Sequence, residues 1–93
     1  MYTEKDLNVQ LTCSACPEQY DVYYLKWEWN RVLIAYIRLR HWYLKVDYYG
    51  KEEETIYEHT FDEAFKGIFY TEEERQFYLN IIKNKILEKL NVN

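Results

Sequence analysis

Residues that build turns and linkers are scarce in this sequence, which holds two glycines, one proline and one serine among its 93 residues. Flexible linkers and low-complexity segments draw on these residue types, so their scarcity argues against several domains joined by loose chain. A chain of this length suits one domain with one modest core. We therefore predict a single domain over residues 1–93.

Long apolar runs are also missing. No stretch has the length that crossing a bilayer requires, and Met1–Asp6 carries acids where a signal peptide needs an apolar core. The sequence therefore predicts no membrane association and a cytoplasmic location. Cysteine is rare too, and the two thiols, Cys13 and Cys16, are expected to stay reduced in that compartment.

Aromatic side chains, in contrast, are abundant. Eleven tyrosines, three tryptophans and four phenylalanines make up 19% of the chain. A domain this small cannot bury so many large rings, and tyrosine is a side chain that protein interfaces favour. The composition therefore predicts a binding protein.

Charge is unevenly distributed along a chain whose net charge is −4. Residues 26–45 hold five basic side chains against one acid, whereas residues 47–74 hold ten acids against two lysines. A strongly acidic surface repels nucleic acid and attracts basic proteins, especially those that bind nucleic acid. The charge pattern thus favours a protein partner.

Alternating apolar and polar residues predict an antiparallel β-meander of four or five strands over residues 1–61. The predicted strands span residues 7–13, 20–27, 32–40, 42–49 and, as a weaker edge strand, 55–61. In the third strand, the alternation places Ala35, Ile37 and Leu39 on the core face.

The period of the pattern changes after Phe61, so the part over residues 62–93 is predicted to be helical. A short helix is expected over residues 62–66, ending at Gly67. Thr71–Glu74 has the pattern of a capping box that opens a long C-terminal helix. Its apolar stripe should pack on one face of the sheet, which gives an α+β fold. The stripe comprises Leu79, Ile82, Ile86 and Leu90.

Cys13-Ser14-Ala15-Cys16 is the one short motif with a known chemistry, because two thiolates at this spacing can share a zinc ion. A complete site needs four ligands, and His41 and His59 are the remaining candidates. Their spacing matches no zinc-finger pattern, and a redox role would need the pair at the start of a helix. Structural cysteines and no cofactor are the simplest interpretation, with a small zinc-stabilised interaction module as an alternative.

No catalytic constellation is evident in the sequence. Ser14 is the only serine, and neither histidine has a nucleophile nearby in a recognisable order. Every acid lies in a polar run, so none is expected to be buried with a raised pKa. The sequence therefore predicts no enzyme activity and nominates no catalytic residue.

The acidic runs and the tyrosines beside them form the main candidate binding surface. Solvated turns are the usual meaning of such runs, but each run here lies at the end of an adjacent predicted element. Carboxylates spaced between tyrosines would imitate the phosphates of a nucleic acid and occupy a basic groove. The candidate contacts are Glu52, Glu53, Glu54, Glu58, Asp62 and Glu63, with Tyr48, Tyr49 and Tyr57 as anchors.

A second candidate surface is the basic and aromatic face of the third predicted strand. Tyr36, Arg38 and Arg40 share this face and lie near Trp42. Such faces can stack single-stranded bases, although the net negative charge argues against nucleic acid and the arginines can instead pair with acids across strands. A homodimer through exposed aromatic strand faces is a further alternative.

The segment Cys13–Gln19 has the pattern C-x-x-C-P-x-Q, and Arg38–Val46 follows it with R-x-R and a tryptophan. In these motifs, over roughly the first half of the chain, the sequence resembles small phage and prophage proteins of unknown activity. The resemblance implies a compact phage-encoded protein in the cytoplasm of a bacterial host. Anti-CRISPR and anti-restriction inhibitors, which phages also encode, are similar to this chain in size, acidity and aromatic content. The resemblance therefore implies a non-enzymatic inhibitor that blocks a nucleic-acid-binding effector such as a CRISPR nuclease or a restriction enzyme. It transfers no residue role.

Overall fold

The computed structural model describes residues 1–13, 18–27, 30–62 and 68–92. Five strands form one antiparallel sheet in which the order across the sheet is the order along the chain. A short 3-10 turn at Glu4–Asp6 precedes the sheet, and a long helix follows it. The predicted α+β meander is therefore confirmed. The elements are β1 (Leu7–Cys13), β2 (Glu18–Trp27), β3 (Asn30–Arg40), β4 (Tyr43–Tyr49), β5 (Glu53–Thr60) and α1 (Glu72–Leu90).

The predicted strand boundaries are close to those of the structure. The weak fifth strand is a full edge strand, and the fourth begins one residue later than predicted because Trp42 belongs to the preceding turn. The short helix predicted over residues 62–66 lies, except for Asp62, outside the described residues.

One face of the sheet, here called the covered face, supplies the hydrophobic core. Alternation in the central strands points one set of side chains towards α1, and these are fully or almost fully buried. They comprise Tyr20, Val22, Ala35, Ile37, Leu39, Leu44, Val46 and Tyr48. The predicted core face of the third strand is thereby confirmed.

Helix α1 packs its apolar stripe on the covered face. Leu79, Ile82 and Ile86 are buried there, and Leu90 packs against the same core. The helix begins where its sequence predicts, since the Thr71 hydroxyl accepts a hydrogen bond from the Glu74 N–H at 3.0 Å. The Glu74 carboxylate in turn accepts one from the Tyr70 N–H at 2.9 Å, so two N–H groups at the helix start are satisfied.

Register shifts in the β4–β5 and β2–β3 pairs change which side chains share a face. Asp47 pairs with Thr55 and Val46 with Tyr57, so Ile56 is an extra residue in β5. Ile56 and Tyr57 consequently both lie towards the core, where strict alternation would have placed Tyr57 with Thr55. A similar shift in the β2–β3 pairing leaves Ile34 and Ala35 buried in succession.

Candidate functional site

The second face of the sheet, here called the uncovered face, is the candidate functional site. Among the described residues no helix or loop packs over it, because α1 lies on the opposite side. Strand register arranges its side chains in rows that run across the strands. The rows are Arg40–Tyr43–Thr60, then Gln19–Arg38–Lys45–Glu58, then Asp21–Tyr36–Asp47–Thr55, and last Tyr49–Glu53 with Tyr23 and Leu33 on the neighbouring strands.

Charge on the uncovered face is divided between its two halves. The half next to the β3–β4 turn carries Arg38, Arg40 and Lys45 against the single carboxylate of Glu58. We call it the basic half. The other half, the acidic half, carries a larger share of carboxylates. These are Asp21, Asp47 and Glu53, against Arg31 at its far end.

Contacts within the face hold several of these side chains in place. Lys45 and Asp47 form an ion pair along β4, with 3.6 Å between Nζ and Oδ1. The Thr55 hydroxyl donates to the same Asp47 oxygen at 2.9 Å, which ties β4 to β5. The Arg31 guanidinium lies 5.6 Å from the centre of the Tyr23 ring, within reach of a cation–π interaction.

Neighbouring carboxylates contribute to raised pKa values of two tyrosines on the uncovered face. The Tyr43 hydroxyl donates to Glu58, and this hydrogen bond raises the pKa of the tyrosine above its ordinary value. The pKa of Tyr49 is raised by partial burial and then by the nearby carboxylates of Glu53 and Asp47. Both hydroxyls therefore remain neutral donors at physiological pH.

A shallow groove of about 340 Å³ lies in the basic half. Its lining is cationic and aromatic, and consists of Arg38, Arg40, His41, Tyr43 and Lys45. The Nε atom of Arg38 is buried and has no hydrogen-bond acceptor among the described residues. A buried donor without a partner is costly, so this N–H is a local weakness of the fold, while the charged lining of the groove is open to an anionic group.

The tight turn between β3 and β4 displays two ring side chains at the end of the basic half. His41 and Trp42 are its two central residues, and both have a positive φ, of 49° and 59°. Positive φ at both positions is the signature of a type I′ hairpin turn, which normally selects asparagine and glycine. The Trp42 side chain is 39% exposed and the His41 ring lies edge-on to it.

The alternative site predicted on the third strand is partly brought together. Tyr36, Arg38 and Arg40 do share the uncovered face, as the alternation predicted. Trp42 lies in the turn beyond the strand rather than in line with them. The lining of the groove also includes Lys45 and Tyr43, which the prediction did not select.

The acidic set predicted as the main contact surface is divided by the sheet. Glu53, Glu58 and Tyr49 lie on the uncovered face. Glu54 lies on the covered side, where its carboxylate pairs with Lys89 of α1. Glu52 and Asp62 are exposed beyond the two ends of β5, and Glu63 lies outside the described residues.

Two of the predicted tyrosine anchors need correction. Tyr48 is only 8% exposed, because it alternates with Leu44 and Val46 and its ring belongs to the core. Tyr57 is half-buried against the same core, because the bulge at Ile56 turns it to the covered face. Neither ring lies on the surface that the sequence predicted for it.

The candidate zinc ligands are dispersed in the fold. Cys13 ends β1, His41 occupies the β3–β4 turn, and His59 packs on the covered side against Phe61 and Tyr78. Cys16 lies outside the described residues. Within the ranges that the structure describes, no three His, Cys, Asp or Glu side chains are grouped so as to hold a metal ion.

A buried carboxylate that sequence reasoning missed lies under the start of α1. Glu18 is 1% exposed, and its carboxylate accepts hydrogen bonds from the Tyr20 hydroxyl, the Phe69 N–H and the Arg75 guanidinium. Burial alone would raise its pKa, but these donors outweigh burial and lower it. Glu18 is thus a buried acid that the sequence reasoning did not identify, but its pKa is lowered, so it is not the acid with a raised pKa whose absence the sequence predicted. The alternation of Glu18, Tyr20 and Val22 was the signal that could have shown it.

No protein-family model, curated protein or solved structure matches this chain. The resemblance to small phage proteins therefore stays a sequence-based prediction. Across the described parts of the chain, no helix has both the length and the apolar character that a membrane span requires.

Proposed function

We propose that this chain is a non-enzymatic protein-binding module and that the uncovered face of its sheet is the interface. One observation carries the proposal. The chain builds its core on one side of the sheet and leaves on the other side a face with four tyrosines and three arginines. Tyrosine and arginine are enriched at protein interfaces and dominate their binding energy.

The mixed charge of the face supports a protein partner over nucleic acid. A nucleic-acid footprint is uniformly basic, whereas here Asp21 and Asp47 lie one row away from Arg38 and Lys45. A strand of nucleic acid that followed the face along β4 would pass directly over carboxylates. A folded protein can match both halves with opposite charges, which fixes register as well as affinity.

The narrower proposal of an inhibitor of a nucleic-acid-binding effector is supported by part of the predicted acidic surface. Glu53 and Tyr49 remain together in the acidic half, where Asp21 and Asp47 add two further carboxylates, whereas Glu58 lies in the basic half. A basic effector would then contact the acidic half, and its association rate would fall as salt is added.

Single-stranded nucleic acid is the second candidate, and the groove of the basic half is what favours it. Three cations, a tyrosine ring and an unsatisfied Arg38 Nε–H surround a space of about 340 Å³. Phosphate oxygens would pair with these cations, and the rings would stack on bases.

Affinity capture from a cell lysate with matched variants tests the proposal. Tyr49→Ser removes a ring from the uncovered face, and Phe77→Ser removes a 59% exposed ring from α1 as the control. Half of the lysate is treated with nuclease. We expect proteins that the wild-type chain and the Phe77 variant both retain after nuclease treatment, and that the Tyr49 variant loses while keeping its melting temperature.

The other possible results of the affinity capture distinguish the remaining interpretations of the uncovered face. Equal retention by the Tyr49 and Phe77 variants would remove the uncovered face as the interface. Loss of all partners after nuclease would favour the nucleic-acid candidate. A partner that binds nucleic acid and is lost by Glu53→Lys would support the inhibitor proposal.

A further inference from the structure

The two halves of the uncovered face are complementary to each other. Arg38 and Lys45 stand side by side in one row, and Tyr36 and Asp47 occupy the same two strands one row further along. Asp21 extends this second row on β2. A surface whose charge inverts from one row to the next can bind a second copy of itself, provided that a two-fold axis brings unlike rows together.

One orientation of the two-fold axis satisfies this condition. This axis lies in the plane of the interface, runs perpendicular to the strands and passes between the two rows. Each residue of one row then faces, in the second copy, the residue of the other row on the same strand. Lys45 then faces Asp47 of the second copy, and Arg38 faces Tyr36 of the second copy. The Arg38 guanidinium would thereby lie between Asp47 and Asp21 of the other subunit, which flank that tyrosine in the same row.

The outer rows also match about this axis. Tyr43 of one copy faces Tyr49 of the other, which allows the two rings to pack. Arg40 falls near Leu33 and Tyr23 of the second copy, where its guanidinium can lie over an aromatic ring. Glu58 faces the neutral Thr55, so no like charges are opposed.

A two-fold axis parallel to the strands does not work. Centred on β3, it would bring Arg38 onto Arg38 and Asp21 onto Asp47, and opposed like charges are destabilising. Packed sheets are also rotated by about 30° by their twist, and this rotation displaces the outer strands more than the central ones. The pairs formed by β3 and β4 lie near the axis and keep their match.

The area of the uncovered face gives an estimate of the surface that the dimer would bury. Five strands spaced about 4.8 Å apart, each roughly seven residues long, give about 550 Å² for the face of each copy. The dimer would bury about 1,100 Å² in total, near the lower limit for a specific interface. The dimer should therefore be weak and reversible, as interfaces of this size commonly are.

We propose that a second copy of this chain occupies the uncovered face, sheet against sheet, about a two-fold axis perpendicular to the strands. This inference rests on the proposed function, because it takes the uncovered face to be a protein-binding surface, and it names the first partner. The two facing sheets, each backed by its own α1, would make a four-layer assembly.

Charge exchange at Lys45 and Asp47 tests the geometry by sedimentation equilibrium over a wide concentration range. The wild-type chain should show a mass that rises from monomer to dimer. Lys45→Asp and Asp47→Lys should each raise the dissociation constant at least about tenfold, because each opposes like charges across the axis. Mixing the two variants should restore association as a heterodimer, and the Lys45→Asp/Asp47→Lys double variant should restore the homodimer.

Lys89→Asp is the matched control. Lys89 has the same residue type and the same 44% side-chain exposure as Lys45, and it is also paired with a carboxylate, but it lies on α1 on the covered side. Its reversal should leave the dissociation constant unchanged. Melting curves of every variant separate loss of association from loss of folding.

The outcomes are decisive in each direction. A wild-type chain that stays monomeric at every concentration overturns the dimer, while the capture experiment still decides whether the face binds another protein. A dimer that is unaffected by Lys45→Asp, or a mixture that does not associate, places the interface elsewhere. Binding of a labelled oligonucleotide by a monomeric chain, lost in Arg38→Ala, would assign the face to nucleic acid.

Discussion

At the scale of single residues, Glu18 shows how this small domain fixes its helix to its sheet. The carboxylate joins β2, the segment before the helix cap and the first turn of α1 through hydrogen bonds from Tyr20, Phe69 and Arg75. Arg75 also bonds to Glu72 of its own helix turn, so the guanidinium is held from two sides. A buried carboxylate with every donor in place orients the elements that meet at it.

Glu18→Gln is therefore expected to destabilise the fold by about 2–3 kcal/mol in urea unfolding at neutral pH, since it leaves Arg75 without its buried anion. Because the folded-state pKa of Glu18 is lowered, its stabilising contribution is present above the ordinary carboxyl pKa of 4.5 and is lost as the pH falls below it. The loss of stability that Glu18→Gln causes relative to the wild-type chain should accordingly become smaller at acid pH. The exposed Glu88→Gln should change the stability little, and an equal loss in both variants would contradict this role.

At the scale of elements, the β3–β4 turn is where the sequence departs from the turn it forms. Both central positions have a positive φ, yet they hold histidine and tryptophan rather than asparagine and glycine. Non-glycine residues in this region cost of the order of 1 kcal/mol or more. The strain is maintained by the ladder on either side, since Arg40 pairs with Tyr43 and the Phe61 N–H donates to the Trp42 carbonyl at 2.7 Å.

His41→Asn should relieve part of this strain, because asparagine is the residue that type I′ turns prefer at the first central position. We expect a gain of about 1 kcal/mol and a rise in Tm of roughly 4–8 °C, measured by thermal denaturation. His41→Ala removes the imidazole without favouring the left-handed backbone and serves as the control. If the alanine variant gained as much stability as the asparagine variant, the ring and not the backbone would be the cause.

Element types were predictable from the sequence because they depend on local alternation. The pattern of β3 and the stripe of α1 placed Ile37 and Ile82 in the core, where the structure has them. Face assignments failed where a bulge intervened, as at Tyr57, because an extra residue in β5 is set by pairing with β4. The Glu18 network was missed for a similar reason, since its partner Arg75 lies 57 positions away in sequence.

The candidate site could be predicted only in part. Strict alternation was enough to place Arg38 and Arg40 on one face, because β3 is regular over that stretch. The acidic runs were expected to form one contact surface, but neighbours in sequence point to opposite faces of a strand, as Glu53 and Glu54 do. Composition indicated an interface, and only the register showed how its charges are arranged.

At the scale of the whole molecule, the fold is asymmetric about its sheet. One side holds the helix and the core, and among the described residues nothing packs over the other. Stable domains stack layers on sheet faces, so a face rich in half-buried tyrosines is suited to a layer supplied by another molecule. The same tyrosine content, spread over core and surface, also governs how the folded chain responds to alkali.

Alkaline titration should therefore be coupled to unfolding. The pKa values of six tyrosines are raised, by burial first in every case except Tyr43, where the hydrogen bond to Glu58 comes first. The six are Tyr20, Tyr43, Tyr48, Tyr49, Tyr57 and Tyr78. A raised folded-state pKa stabilises the fold below the ordinary tyrosine pKa of 10.0, and this contribution is lost as the pH rises through the folded-state value. Phenolate absorbance should lag behind that of the urea-unfolded chain, and the remaining tyrosines should then ionise together with the loss of circular dichroism. Full ionisation near pH 10 with unchanged circular dichroism would show that these rings are not held in the fold as the structure has them.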